Sequence, residues 1–281
     1  MPTFKRRVAN ALERLTGAYI VPPAAVGDTY GAEQIRRLIA AFEIDCVFDV
    51  GANAGQYARV LRERVKYAGP IVSFEPVPYL AQELRTAAAS CDNWYIEEAA
   101  LDRHAGSAQL TVTHDSQFSS LRHISKLGQS MFPKHVDVRD QIDVVTSTLA
   151  REFRRWHDRL GFRRPYLKID TQGHDLAVAE GAGDLLGEFV AIQAELAIHK
   201  LYEGSPDLAE AISFFQRRGF EPSAFAPNNE GAFPVLLETD CIFINRKYAG
   251  GESRQIGTES PVDKPQLAGH QEEITRRAAD G

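Results

Sequence analysis

The sequence predicts an α/β fold: a mostly parallel, Rossmann-like sheet with helices on both faces and an antiparallel C-terminal edge strand. Three observations carry this. Short apolar strands alternate with helix-length periodic runs in βαβαβ order up to residue 101. The first strand, CVFDV, enters a glycine turn, GANAG, that opens a helix. After an irregular middle, alternation resumes with PYLKID and FVAIQAELAI and closes on EPSAFA and TDCIFINR, a pair suited to an antiparallel ribbon.

In order, helical periodicity at 32–43 and 55–66 brackets CVFDV, and IVSFEP is followed by a helix from Tyr79 to Ser90 and by the strand WYIEEAAL. SAQLTVTH and QIDVVTSTL read as strands around a polar insert at about 114–140, placed to cover a substrate or to decorate the surface. Helices follow at 149–160 and 175–186 around PYLKID, and PDLAEAISFFQRRGF is an amphipathic helix stopped at Gly219. Residues 1–30 read as a helical extension, 31–249 as one domain with its insert, and 250–281, which lose periodicity, as a disordered tail.

Composition excludes several classes. The 281 residues are 44% hydrophobic and 25% charged with a formal charge of −6, which gives no basic surface for nucleic acid. No run of about 18 apolar residues exists, so no transmembrane helix is expected, and without a signal-peptide core the expectation is cytoplasmic. The basic stretch FKRRVANALERL reads as a solvated helix face, with peripheral membrane contact as the lesser reading. Cys46, Cys91 and Cys241 lack a Cys-x-x-Cys pair, and His114, His123 and His135 lack metal-ligand spacing.

The glycine turn is not a dinucleotide fingerprint, which needs glycine at Gly51, Asn53 and Gln56, nor a Walker loop, because no Gly-Lys-Ser/Thr follows. A nicotinamide-dependent dehydrogenase is therefore the weaker reading. Instead, acids stand at strand ends: Asp49, Glu75 and Asp170. Glu75, beyond the second strand and stopped by Pro76, is placed to accept both hydroxyls of a ribose. Asp49 suits a cationic ligand, and Asn53 tolerates a left-handed turn. A nucleoside with a positive charge and no pyrophosphate points to S-adenosylmethionine.

The motifs VFDVGANAGQYA, SFEPVP, EEAALDRHAG, FSSL, LKIDTQGHDLAVAEGA and AELAIHKLYEGSPDLAEAISFFQRRGF, in this order over about residues 40–245, resemble the FkbM-type S-adenosylmethionine-dependent methyltransferases. The resemblance implies a class I methyltransferase fold and a donor lying across Asp49, Gly51, Ala52, Asn53, Gly55, Tyr57 and Glu75, with adenine near Glu98, Ala99 and Ala100. It implies O-methylation of sugars, glycolipids or glycosylated natural products, so the expected partner is a small-molecule or glycoside acceptor. A non-catalytic protein of the same fold is the alternative.

For the chemistry, Asp170, His174 and Glu195 are the expected catalytic groups: strand-end acids beside the donor, and a histidine able to take a proton near neutral pH. Ser120, Lys168, His199 and Tyr202 are the expected acceptor-binding residues. Mg²⁺ held by Asp170 and Glu195 is the lesser expectation, because two acids alone make a poor hard-cation site.

Overall fold

The computed structural model describes Leu15 and residues 25–228 and 234–249. The basic N-terminal segment, apart from Leu15, and the expected tail from residue 250 lie outside the described residues. Helix α1, Val26–Phe42, begins earlier than its periodicity suggests. Two glycines disguise it: a Cβ on Gly27 would stand 3.3 Å from the Pro227 carbonyl, and one on Gly31 would stand 3.6 Å from the Ala226 Cβ. These helix-weakening residues are there to let the helix approach a strand closely.

Strand β1, Cys46–Val50, leads through the glycine turn into α2, Gln56–Val60, which continues as a π-helical turn, Leu61–Val65. Then come β2 (Ile71–Phe74), α3 (Pro78–Ala88), β3 (Trp94–Glu97) and β4 (Ala100–Leu101). The run WYIEEAAL is therefore two strands, not one, and they join different sheets. Glu97, the last paired residue of β3, meets Arg155, and Glu98 beyond it meets Arg85.

Strands β5 (Gly106–Thr113) and β6 (Val138–Ser147) pair antiparallel and, with β4, form a three-stranded sheet. The insert between them carries a 3₁₀ turn, Ser116–Phe118, and α4, Lys126–Met131. It is pinned to the body: Ser120 exchanges two backbone hydrogen bonds with Thr111, and Ser125 N–H donates to the Leu201 carbonyl at 2.8 Å.

The chain continues with α5 (Leu149–Leu160), β7 (Pro165–Ile169), α6 (Asp175–Glu180), β8 (Ala191–Ala197), α7 (Leu208–Arg217), β9 (Phe220–Asn228), β10 (Glu238–Asn245) and α8 (Arg246–Ala249). Helix α6 is shorter than its pattern. It stops at Gly181, where a Cβ would fall 2.3 Å from the Asp102 carbonyl, and a separate 3₁₀ turn, Gly183–Glu188, follows.

The main sheet has seven strands in the order β3-β2-β1-β7-β8-β10-β9. Strand β10 runs antiparallel to both neighbours, so the C-terminal ribbon forms the edge with β9 outermost. Alternate residues bury opposite faces. Phe48, Leu167, Ile192 and Phe243 pack with Phe153 and Trp156 of α5 and Phe214 and Phe215 of α7. Val47, Tyr166, Ala191 and Ile242 pack with Ala32 and Ile35 of α1 and with Ala58 and Leu61. This two-sided burial explains why the central strands read as continuous apolar runs. Among the described residues no helix is long and apolar enough to cross a membrane, and all three cysteines are free, Cys46 and Cys241 buried.

Candidate active site

A cavity of about 390 Å³ opens at the carboxyl ends of β1, β2, β7 and β8, where ligands bind in open α/β sheets. Its floor is the glycine turn. Gly51 has φ +80° and a Cβ there would lie 1.8 Å from the Asp170 carbonyl oxygen, so the position admits only glycine. Asn53, at φ 47°, and Gly55, at φ 82°, complete the left-handed turn. Asn53 N–H donates to one Glu75 oxygen at 2.7 Å and Val77 N–H to the other at 2.9 Å. Burial nevertheless pushes the Glu75 carboxyl up to about 7, against the pull of these donors. Ser116 of the insert donates to Asn53 Oδ1 at 3.0 Å, so the insert meets the turn across the cavity mouth.

Beneath the floor runs a buried polar row on one sheet face. Trp94 Nε1 donates to Ser73 Oγ at 3.0 Å, and Ser73 donates to Asp49 Oδ2 at 3.0 Å. Asp49 Oδ1 faces Lys168 Nζ at 3.5 Å, and Lys168 lies 3.4 Å from Asp170 Oδ2 and 5.4 Å from the Tyr57 ring centroid. The expectation that Asp49 faces the ligand is thereby corrected: it is fully buried, outside the cavity lining, and Lys168 is the group that reaches the lining above it. Burial raises the Asp49 carboxyl, Lys168 and Ser73 opposing. Burial also acts against the Lys168 charge, but Asp170 and Asp49 outweigh it and hold the ammonium protonated. Farther along, Gln193 Oε1 accepts from Tyr57 at 3.0 Å and Tyr166 at 3.1 Å, while its amide holds Asp240. Asp240 is pushed up to about 7 by burial and by Asp170.

The acids at the mouth meet through a residue that sequence reasoning passed over. Gln172 Nε2 donates to Asp170 Oδ1 at 2.9 Å and to Glu195 Oε2 at 2.8 Å. Its Oε1 accepts from the Tyr202 hydroxyl at 2.7 Å, which fixes which end of the amide faces the acids. Glu195 is raised well above the ordinary carboxylate range by burial and then by Asp170. An amide N–H₂ thus fills the gap in which Asp170 and Glu195 were expected to hold Mg²⁺, and among the described residues no group of three or more His, Cys, Asp or Glu is arranged to hold a metal ion.

Asp170, His174, Glu195, Ser120 and Lys168 line the cavity, as do Gly51, Ala52, Asn53, Tyr57, Glu75, Pro76 and Ala99. Gly55 lies under the turn against Leu84 and Trp94. Others are displaced. Glu98 pairs with Arg85 at 2.8 Å on the solvent side, and His199 is exposed on the loop after β8. Tyr202 is buried behind Gln172, outside the cavity lining, and its hydroxyl donates to the Gln172 amide oxygen. The Ser120 hydroxyl donates to the Gln172 carbonyl at 2.8 Å, so it shapes the wall and is not presented to a ligand. His174, expected as a base, has Nε2 at 2.9 Å from Asp102 and a buried Nδ1 with no hydrogen-bond partner. Neither nitrogen is offered to the cavity, and burial lowers its pKa so that it stays neutral.

The model of the methyltransferase FkbM domain matches residues 49–222, more than half of the chain and the whole stretch from the glycine turn past Glu195. The chain belongs to the FkbM methyltransferase family. Among solved structures this chain is similar to the methyltransferase FkbM from Methylobacillus flagellatus KT, at 12% identity and a TM-score of 0.45, over 72% of this chain and 44% of that one. It therefore spans less than half of that relative. It is also similar to magnesium protoporphyrin IX methyltransferase from Synechocystis PCC 6803 with bound SAM, at 11% identity and a TM-score of 0.41, over 87% and 98% of the two chains. Fibrillarin from Aeropyrum pernix, natively bound to S-adenosyl-L-methionine, is similar at 12% identity and a TM-score of 0.41, over 76% and 74%. No curated protein matches this chain.

Proposed function

We propose that the cavity binds S-adenosylmethionine and that the protein transfers its methyl group to a hydroxyl of a sugar, glycolipid or glycosylated natural product. The observation that carries this reading is Glu75 at the end of β2, facing the same cavity as the Gly51 turn and the Asp170 and Glu195 strand ends. The donor, when bound, supplies a methyl group made electrophilic by a sulfonium.

The residues fit that ligand. The turn Gly51–Gly55 lets a nucleoside approach the backbone closely, and Glu75 keeps lone pairs for ribose hydroxyls besides the two it uses on Asn53 and Val77. Pro76, Val77 and Ala99 wall the base side, and the acids around Asp170 suit a cation. Alcohols are weak nucleophiles, so the chain must orient the hydroxyl and take its proton. Glu195, whose carboxyl burial and Asp170 hold well above the ordinary range, takes that proton in its ionised form, with Asp170 fixing the hydroxyl.

Calorimetry with S-adenosylhomocysteine on the wild type and on Glu75→Ala tests the donor site. Binding that is absent, or that survives the substitution unchanged, sinks it. A methyl-transfer screen over glycosides, sugar nucleotides and glycolipids tests the acceptor class.

A further inference from the structure

We infer that Gln172 is the positioning residue of the reaction, a clamp that sets the relative placement of the Asp170 and Glu195 carboxylates and is itself oriented by Tyr202. The inference rests on the reading of the cavity as a methyl-transfer site. Four observations meet at this side chain. Its backbone has φ 55°, a conformation unusual for a side chain with a Cβ, and it is followed by Gly173 at φ 83°. The two left-handed residues turn the chain so that Gln172 points back over the strand end it has just left. Its carbonyl is tied by Ser120 Oγ at 2.8 Å, which anchors the insert to the same turn. The amide then divides its two N–H groups between Asp170 on one strand and Glu195 on the next.

The Tyr202 hydroxyl has one hydrogen and two acceptors, Gln172 Oε1 at 2.7 Å and the Phe118 carbonyl at 3.2 Å. The shorter contact assigns it to Gln172, with Phe118 of the insert as the competing acceptor. The two acids stand at neighbouring strand ends, and a shared neutral donor holds them at one separation whether or not Glu195 carries its proton. An acceptor hydroxyl that enters from the cavity side then meets carboxyl groups held in fixed places.

The test uses Gln172→Asn, because asparagine tolerates the left-handed backbone while its amide is one methylene too short to reach both acids. With S-adenosylmethionine and octyl β-glucoside, kcat is expected to fall about 100-fold, while affinity for S-adenosylhomocysteine moves less than about threefold. Tyr202→Phe is expected to cost about 10-fold, and the double variant no more than Gln172→Asn alone, because Tyr202 acts through the amide. A crystal structure of Gln172→Asn is expected to show the two carboxylates turned apart with Glu75 and the Gly51 turn unmoved. Full turnover in Gln172→Asn, multiplicative losses in the double variant, or carboxylates in unchanged positions would each overturn the inference. The crystallographic arm needs no acceptor and decides alone where octyl β-glucoside is not methylated. A wild type that fails to bind S-adenosylhomocysteine defeats the donor reading instead, with the carboxylate positions still measurable.

Discussion

Lys168 Nζ donates to the main-chain carbonyl of Gly51 at 3.2 Å, so a side chain from β7 supports the turn that leaves β1. The same ammonium stands against Asp49, which is fully buried. Lys168→Met is expected to destabilise the protein by about 3–5 kcal/mol in urea unfolding, because it strands a buried carboxylate. Lys168→Met combined with Asp49→Asn is expected to recover part of that loss. A single substitution that leaves the unfolding midpoint unchanged would show that the pair carries no net coupling.

Gly51→Ala sets a steric overlap against simple backbone strain. The new Cβ would meet the Asp170 carbonyl, whereas Gly161, at φ 66°, has nothing within 4 Å of a Cβ. Gly161→Ala is expected to cost about 1 kcal/mol for the left-handed backbone, and Gly51→Ala several times that, with loss of S-adenosylhomocysteine binding. Equal costs at the two positions would mean that the β1 and β7 ends can separate freely.

Stability is expected to fall as pH rises from about 5 to 8. Burial raises Glu75 and Asp240 to about 7 and Asp175 to about 6 from ordinary values of 4.5, 3.8 and 3.8, and it raises Glu195 and Asp49 as well. In that window the folded protein holds protons that the unfolded chain has released. The stabilisation is present in full below the unfolded values and is lost as pH climbs through the folded ones. Each group contributes roughly 1.4 kcal/mol for every tenfold by which folding tightens its hold on the proton. His174 acts in the opposite sense, because its folded pKa is lowered and its proton stays on the unfolded chain. One group against five leaves the slope negative. Urea midpoints at pH 5 and pH 8 check the sign, and Glu75→Gln is expected to flatten it.

The glycine turn and the strand-end acids were legible in the sequence because each is a local signal: an apolar run, then letters that only a turn or a ligand site wants. Gln172 was not, since its role depends on a left-handed backbone and on Tyr202, 30 positions away. His174 misled for the same reason. Asp102, 72 positions earlier, takes the nitrogen that a base would need. The early start of α1 was hidden by Gly27 and Gly31, whose value lies in the strand they touch. Asp49 was correctly singled out as a strand acid, yet burial beside Lys168 turned it from a ligand contact into a counter-charge.

The charge of the lining restricts the acceptor. Asp28, Glu75, Asp170, Glu195, Glu238 and Asp240 line the cavity, against Arg64 and Lys168 as its lysine and arginine side chains among the described residues. The Lys168 charge is already held between Asp49 and Asp170, and Arg64 donates to Thr29 at 2.8 Å near the rim. Above about pH 7, where Glu75 and Asp240 give up their protons, a phosphorylated or carboxylated acceptor would bring an anion against these acids, a juxtaposition that costs several kcal/mol in a desolvated site. At pH 8 an uncharged glycoside is therefore expected to exceed its 6-phosphate by about 100-fold in kcat/KM, since every 1.4 kcal/mol is about tenfold. Part of the discrimination is to shrink with added salt, because Asp28 is exposed and its field is screened. Asp240→Asn is expected to narrow the ratio further by removing a buried share that salt does not reach. Equal turnover of the neutral and phosphorylated acceptors at low salt would mean that these acids hold their protons throughout the reaction, and that the cavity selects by shape alone.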